Sequence, residues 1–211
     1  MSIQKVSSSR IGRPRKVSDD DVFMGAYKAM QRLGPSELTL AHIADEAGVT
    51  AGALVQRFGS KRELLLKIAE QFSGSTAEMF AQLRTEHHSP LAAIRAYADC
   101  MAGMAATPES LFRNLSYLQI DLTDPEFRKH FAHSARATRA ELQKLVRDAI
   151  KAGELVPSTN AKQLTRTIEA IIGGSMLSWA HHQEGSASKW IRDDLNAILN
   201  PYLKSRAAAN G

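Results

Sequence analysis

Thr39, Thr50, Gln56, Arg57 and Lys61 are the residues whose types and spacing lend themselves to chemistry, and that chemistry is recognition of a polyanion. A glutamine amide pairs bidentately with N6 and N7 of adenine in a major groove. Thr50 is the second candidate for a base edge, while Thr39 and Lys61 lie at helix N-termini, whose free N–H groups and partial positive charge favour a phosphate. A guanidinium contributes charge-assisted hydrogen bonds. Gly52 and Ala53, set among these residues, matter by being small, because they let a helix backbone sit close to a duplex. Groups for bond making are worse placed. His87-His88 and His181-His182 are adjacent pairs that point to different sides of a helix. His130 and His133 share a face but have no cysteine or carboxylate partner at metal-ligand spacing. The sequence has no His-Glu-x-x-His, no Gly-x-Ser-x-Gly and no phosphate-binding glycine loop. No metal, no cofactor and no enzymatic activity are expected.

The elements that must position these residues lie between Leu38 and Lys61. Leu40, Ile43, Ala44 and Ala47 recur at spacings of three and four, which puts them on one helical face. Gly48 follows, where a chain leaving a helix commonly needs positive φ. Thr50 is a capping residue for a second short helix. Leu54 and Phe58 are four apart and tie that helix to the body, so Thr50, Ala51, Ala53, Gln56 and Arg57 face outward. A short polar helix held by its back is what a DNA major groove admits.

The charge agrees with this reading. The chain has 211 residues and a net charge of +5, and Lys5, Arg10, Arg13, Arg15 and Lys16 in the acid-free stretch 1–18 account for all of it. A basic arm beside such a helix pair is an electrostatic footprint for phosphate. Arg13 and Arg15 are expected to reach the minor groove, as arms do in other helix-turn-helix proteins. The single Cys100 excludes an internal disulfide, and the polar, basic start lacks a secretory apolar core, so a cytoplasmic protein is expected.

The rest reads as helical. Asp19 or Asp20 starts a helix that Gly34-Pro35 ends, and Ser60 caps a long one carrying Leu64, Ile68, Phe72 and Phe80. Ser89-Pro90, Thr107-Pro108 and Asp124-Pro125 each place proline just inside a helix start, where its missing N–H is harmless. The Asp124 helix is expected to stop at Gly153, and Asn160 to about His182 and Ser188 to about Tyr202 supply two more. The expectation is an all-α chain of nine helices. It divides into a basic arm (1–17), a three-helix DNA-binding domain (18–66) and a helical remainder (67–211).

Gly12-Arg13-Pro14-Arg15, Leu38-Thr39, Ile43-Ala44, Ala47-Gly48-Val49-Thr50, Gly52, Leu54 and Phe58-Gly59-Ser60-Lys61 together resemble the TetR family of bacterial one-component regulators. Relatives usually carry an aromatic at the position of Val55 and an aromatic or histidine at that of Arg57. The resemblance implies a homodimeric transcriptional regulator, most often a repressor, that binds a palindromic double-stranded DNA operator and leaves it when a small-molecule effector binds. It also implies that residues 67–211 form a ligand-binding and dimerisation domain whose last two helices pack against their twofold mates. Two glycines within Ile171-Ile172-Gly173-Gly174-Ser175-Met176-Leu177 cost a helix roughly 1 kcal/mol each, which suggests that small residues are needed for close packing. Ile171, Gly173, Gly174, Ser175, Leu177, Trp190, Leu195 and Ile198 are the expected interface, with Ile168, Ile172 and Leu199 adding apolar area. Met101, Met104, Phe112, Tyr117, Gln119, His133 and Trp179 are candidates for an effector chamber, being apolar walls with few polar groups. The alternative is a helical small-molecule binding or enzymatic protein on the same scaffold that has lost DNA recognition, with Val55 as the feature that favours it.

Overall fold

The first helix starts at Asp19, one of the two expected positions, and Ser18 caps it. Its hydroxyl accepts from Asp21 N (3.1 Å) while the Asp21 carboxylate accepts from Ser18 N (2.8 Å), a reciprocal pair that satisfies two otherwise free donors. The helix, α1, runs Asp19–Arg32. The computed structural model describes residues 17–204, and among them are nine α-helices and no strand. Short helices α2 (Leu40–Ala47) and α3 (Ala51–Phe58) follow, capped by Thr39 and Thr50, and then α4 (Lys61–Glu86), capped by Ser60.

The three proline starts behave as read. They open α5 (Pro90–Ala102), α6 (Pro108–Thr123) and α7 (Pro125–Lys151), each capped by the preceding Ser89, Thr107 or Asp124. The last two helices are α8 (Ala161–His182) and α9 (Ala187–Leu199). The latter starts one residue earlier than expected because Ser186 caps it, and Asn200–Tyr202 is a separate 3-10 turn. No helix of the described residues is long and apolar enough to cross a membrane.

Burial divides the chain into three apolar clusters. The head cluster joins Val22, Phe23 and Ala26 of α1 to Leu38, Ile43, Ala44, Leu54, Phe58, Leu64 and Ile68. The body cluster packs Phe80, Ile94, Tyr97, Leu142, Leu145, Val146, Ile168, Ile191 and Leu195 with their neighbours. A third, smaller cluster surrounds Trp179 with Ala105, Leu111, Ala180 and Ala187. Helices α4 and α7 run side by side and parallel. Arg62 meets Asp124 and Glu126, Thr76 meets Ser134, and Arg84 meets Glu141, so sequence number rises in step along both. α4 therefore contributes to both large cores, passing through the expected domain boundary at residue 66 without a break.

Candidate nucleic-acid interface

Gly48 ends α2 at φ 67°, a left-handed conformation glycine takes without a Cβ penalty, and its N–H bonds back to α2. Thr50 then turns the chain into α3 by accepting from Ala53 N at 3.1 Å. Leu54 and Phe58 are buried on the back of α3, and Phe58 meets Phe23 of α1 with ring centroids 6.0 Å apart. The outer face carries Thr50, Gly52, Ala53, Val55, Gln56 and Arg57, all exposed, whereas Ala51 packs against the head core. Val55 is 51% exposed, an apolar side chain held up at the centre of a polar face. Thr39 is exposed at the start of α2, where its hydroxyl accepts from His42 N at 3.2 Å.

The cations of this head are largely occupied within the protein. Lys61 donates to Pro35 O (3.0 Å) and Leu38 O (2.7 Å), so it ties down the α1–α2 loop and keeps one of its three N–H donors free. Arg57 donates to Val17 O (2.8 Å), pairs with Asp19 and lies 5.3 Å from the Phe58 ring centroid. Both are expected from sequence to grip DNA, and both also have an intramolecular role that the sequence does not display. Arg32 pairs with Glu46. The contact from Arg57 fixes the root of the basic arm beside α3. Arg13 and Arg15 lie outside the described residues.

A second set of contacts joins this head to the body, and sequence reasoning missed it. The Arg62 guanidinium forks onto Asp124 at 2.8–3.2 Å, reaches Glu126 at 2.7 Å, and lies 5.7 Å from the Phe127 ring centroid. Its hydrogen bonds hold the Asp124 carboxyl below the usual carboxylate range. Arg113 donates to Gln31 O, and Tyr117 donates to Leu33 O at 2.8 Å. Burial pushes the Tyr117 phenol up to about 12. The only sequence signal here was the Asp124-Pro125 cap; a partner 62 residues away leaves no local trace.

The expected effector residues do not converge on one chamber. Met101 packs on the body core and Trp179 is buried in the third cluster, its indole N–H donating to Gly185 O at 3.3 Å. Tyr117 packs against the head, while Met104, Phe112, Gln119 and His133 are exposed. No group of three or more histidine, cysteine or acidic side chains suited to a metal occurs among the described residues.

The expected interface residues also separate. Leu195 is buried in the body core, as are Ile168, Ile172 and Leu199, so these belong to the protomer. Ser175 is buried as well and donates to Asp194 Oδ2 at 2.7 Å. Trp190 is half-buried; its N–H donates to Glu184 O at 2.7 Å and its ring stacks on His182. Gly174 and Leu177 are exposed on the open side of α8, with Ile171, Gly173 and Ile198 half-covered. A Cβ added to Gly173 or Gly174 would meet nothing within 4 Å, so no packing within the chain requires these glycines.

Residues 24–68 match a model described as bacterial regulatory proteins, tetR family, and residues 111–195 match one described as tetracyclin repressor-like, C-terminal domain. Comparison with curated protein sequences gave no match. Among solved structures, a TetR transcription regulator from Haloarcula marismortui aligns at TM-score 0.71 and 18% identity, covering 88% of this chain and 98% of its own. SmeT, the repressor of the Stenotrophomonas maltophilia multidrug efflux pump SmeDEF, aligns at 0.64 and 20%, covering 92% and 94%. FadR from Bacillus subtilis, in complex with stearoyl-CoA, aligns at 0.62 and 15%, covering 86% and 97%. At these identities the likeness to solved structures is one of fold.

Proposed function

Because the chain belongs to the TetR family of bacterial regulatory proteins, it is a DNA-binding transcriptional regulator, and we propose that it acts as a homodimeric repressor released from its operator by a small molecule. One observation carries the DNA reading. The helix α3 is buried along its back, through Leu54 and Phe58, and offers small and hydrogen-bonding groups outward. Gln56 is the base-reading residue, Gly52 and Ala53 permit close approach, and the exposed Val55 side chain suits a thymine methyl group. Thr50 offers its hydroxyl to a base edge beside Gln56, and Thr39 and the free donor of Lys61 hold phosphates beside helix N-termini. The division into arm (1–17), head (18–66) and body (67–211) follows from these roles.

Since Arg32, Arg57 and Arg62 are each paired with a carboxylate, the electrostatic part of binding falls mainly to the arm. A salt titration on duplex DNA from upstream of the coding gene tests this. Replacing Arg13 and Arg15 together by alanine should flatten the slope of log K against log salt by about 2, roughly 0.9 for each phosphate that is no longer neutralised. Gln56→Ala should leave the slope alone and lower specific affinity by about 1–3 kcal/mol. Loss of specific and non-specific binding in equal proportion in the Gln56 variant would contradict its base-reading role.

The open face of α8, with Gly174 and Leu177 exposed and Ile171 half-covered, supports twofold association of the bodies. Phe72, Phe112, Leu122 and Phe131 are large exposed apolar side chains on α4, α6 and α7, which supports a mainly apolar effector. FadR and SmeT are consistent with such a class, the one being held with an acyl-CoA and the other repressing a drug efflux pump. A helical binding protein that has lost DNA recognition is not favoured, because the head keeps its turn, caps and outward polar face.

A further inference from the structure

The apolar stripe of α6 is covered at one end only. Leu111, Leu115, Leu118 and Leu122 follow one another at spacings of four, three and four, and so share a helical face. Leu111 is buried and Leu115 packs with it in the cluster around Trp179, whereas Leu118 is half-buried and Leu122 is 50% exposed. Helix α7 begins one residue after α6 is capped off at Asp124 and shows the same trend, with Phe127 buried and Phe131, one turn on, exposed. Phe72 of α4 lies near the level of Phe131, because Thr76, one turn past Phe72, meets Ser134, three residues past Phe131. Three helices thus bring bare apolar side chains to one side of the body.

Asp121 sits in this stretch of α6, between Leu118 and Leu122. It is half-buried, and among the described residues no hydrogen bond or ion pair reaches its carboxylate. Every other buried or half-buried acid there has a donor: Glu46 has Arg32, Asp124 has Arg62, Glu141 has Arg84, Asp148 has Lys151, Glu154 has Leu91 N, Glu169 has Arg139 and Asp194 has Ser175. The cations Arg62 and Arg113, which flank this stretch, are committed elsewhere, to Asp124 with Glu126 and to Gln31 O. Burial alone pushes the Asp121 carboxyl up from the ordinary aspartate value. A carboxylate drawn partly out of water without a partner is a cost, and its place beside bare apolar surface is that of a group kept for a ligand.

We propose that Asp121 is the counter-ion for a cationic head group and that the effector is a lipophilic cation, its ammonium or amidinium on Asp121 and its apolar body over Leu122 and the exposed phenylalanines. The effector role of such a cation rests on the regulator reading above; the cation site itself does not.

Calorimetric titration of the full-length protein, without DNA, tests the site with two probes that share a tail, decylammonium and decanoate, each kept below its micellar range. Decylammonium should bind at least about tenfold more tightly, because only its head group makes a charge-assisted contact with a carboxylate. Asp121→Asn keeps the shape and removes the charge, so it should weaken decylammonium at least about tenfold and leave decanoate unchanged. Its Tm should not fall, since no donor in the protein loses a partner; a lower Tm would give Asp121 a structural role and overturn the reading. Leu122→Ala should weaken both probes alike, because the tail is common to them. Equal affinity for the two head groups, tighter binding of decanoate, no saturable binding of either probe, or wild-type affinity for decylammonium in Asp121→Asn would overturn the proposal. Decylammonium should also release upstream duplex DNA from the wild type, and not from Asp121→Asn at the same concentration. If the protein binds no duplex while the cation preference holds, the regulator reading falls and the site stands. If duplex binds and the head groups are not distinguished, the site falls alone.

Discussion

Gly25→Ala should damage both stability and DNA binding, although alanine is the better helix former. Gly25 lies buried in α1 where that helix crosses the last residue of α2. An added Cβ would sit 2.9 Å from Ala47 Cβ, 2.9 Å from Ala47 N and 3.1 Å from Ala47 Cα. Two of these three atoms are backbone, so no side-chain rotation relieves the contact and the two helices must separate. Helix propensity favours alanine by about 0.8–1.0 kcal/mol. Overpacking of a tight contact costs about 1–3 kcal/mol, and a clash with backbone belongs to the upper half of that range, about 2–3 kcal/mol. The net expectation is a loss of about 1–2 kcal/mol, or a few degrees in Tm for a chain of this size. Gly74→Ala is the matched control, because its Cβ meets nothing within 4 Å and it should gain the propensity difference alone. Guanidinium unfolding of wild type and both variants at one protomer concentration reads the difference. Since Ala47 precedes Gly48, displacement of α2 also re-aims α3, and affinity for upstream duplex DNA should fall with stability. A Gly25→Ala protein as stable as wild type, or stabilised like Gly74→Ala, would refute the claim that this crossing is tight.

Two other expectations follow from particular positions. Gly174→Leu should leave the protomer folded, because the added side chain meets open space, yet shift the protein from dimer to monomer in sedimentation; a dimer unchanged by leucine would move the α8 glycines out of the interface. Tyr97 is buried against Phe80 and its phenol is pushed up to about 12 by burial, with the charge of Glu169 adding to the effect. Its folded value is raised, so its contribution is fully present below the unfolded value near pH 10 and is lost as pH rises towards 12. Stability should therefore drop by about 1–2 kcal/mol between pH 8 and about pH 11, and Tyr97→Phe should remove most of that drop; equal alkaline loss in the phenylalanine variant would assign it elsewhere.

The helices were legible because their starts and stops are local chemistry. A capping hydroxyl or carboxylate acts within three residues, as at Thr50, Ser60 and Asp124, and a proline start needs only its own missing N–H. Gly48 was legible for the same reason, since its positive φ is a property of one residue. Most of the outward face of α3 could be read from spacing, because Leu54 and Phe58 mark its back, but Ala51 packs against the head core instead of facing out.

What those outward residues do besides depends on packing. Lys61 and Arg57 carry the same charge in any fold, but only folding puts carbonyls of the α1–α2 loop and of Val17 within their reach. In α8 and α9, apolar spacing marks two faces without saying which is covered by the chain itself. Packing gave Ile168, Ile172 and Leu195 to the protomer core and left Gly174 and Leu177 open. The arginine fork between Arg62 and Asp124 was out of reach for the same reason. Helical periodicity is a short-range signal of a few residues, whereas a contact across 62 residues depends on how whole helices lie against one another. Neighbours within a few residues settle which segments are helical and which face of α3 is exposed. Which charges are spent within the protein, and which surface of α8 remains for a partner, is set by helices brought together from distant parts of the chain.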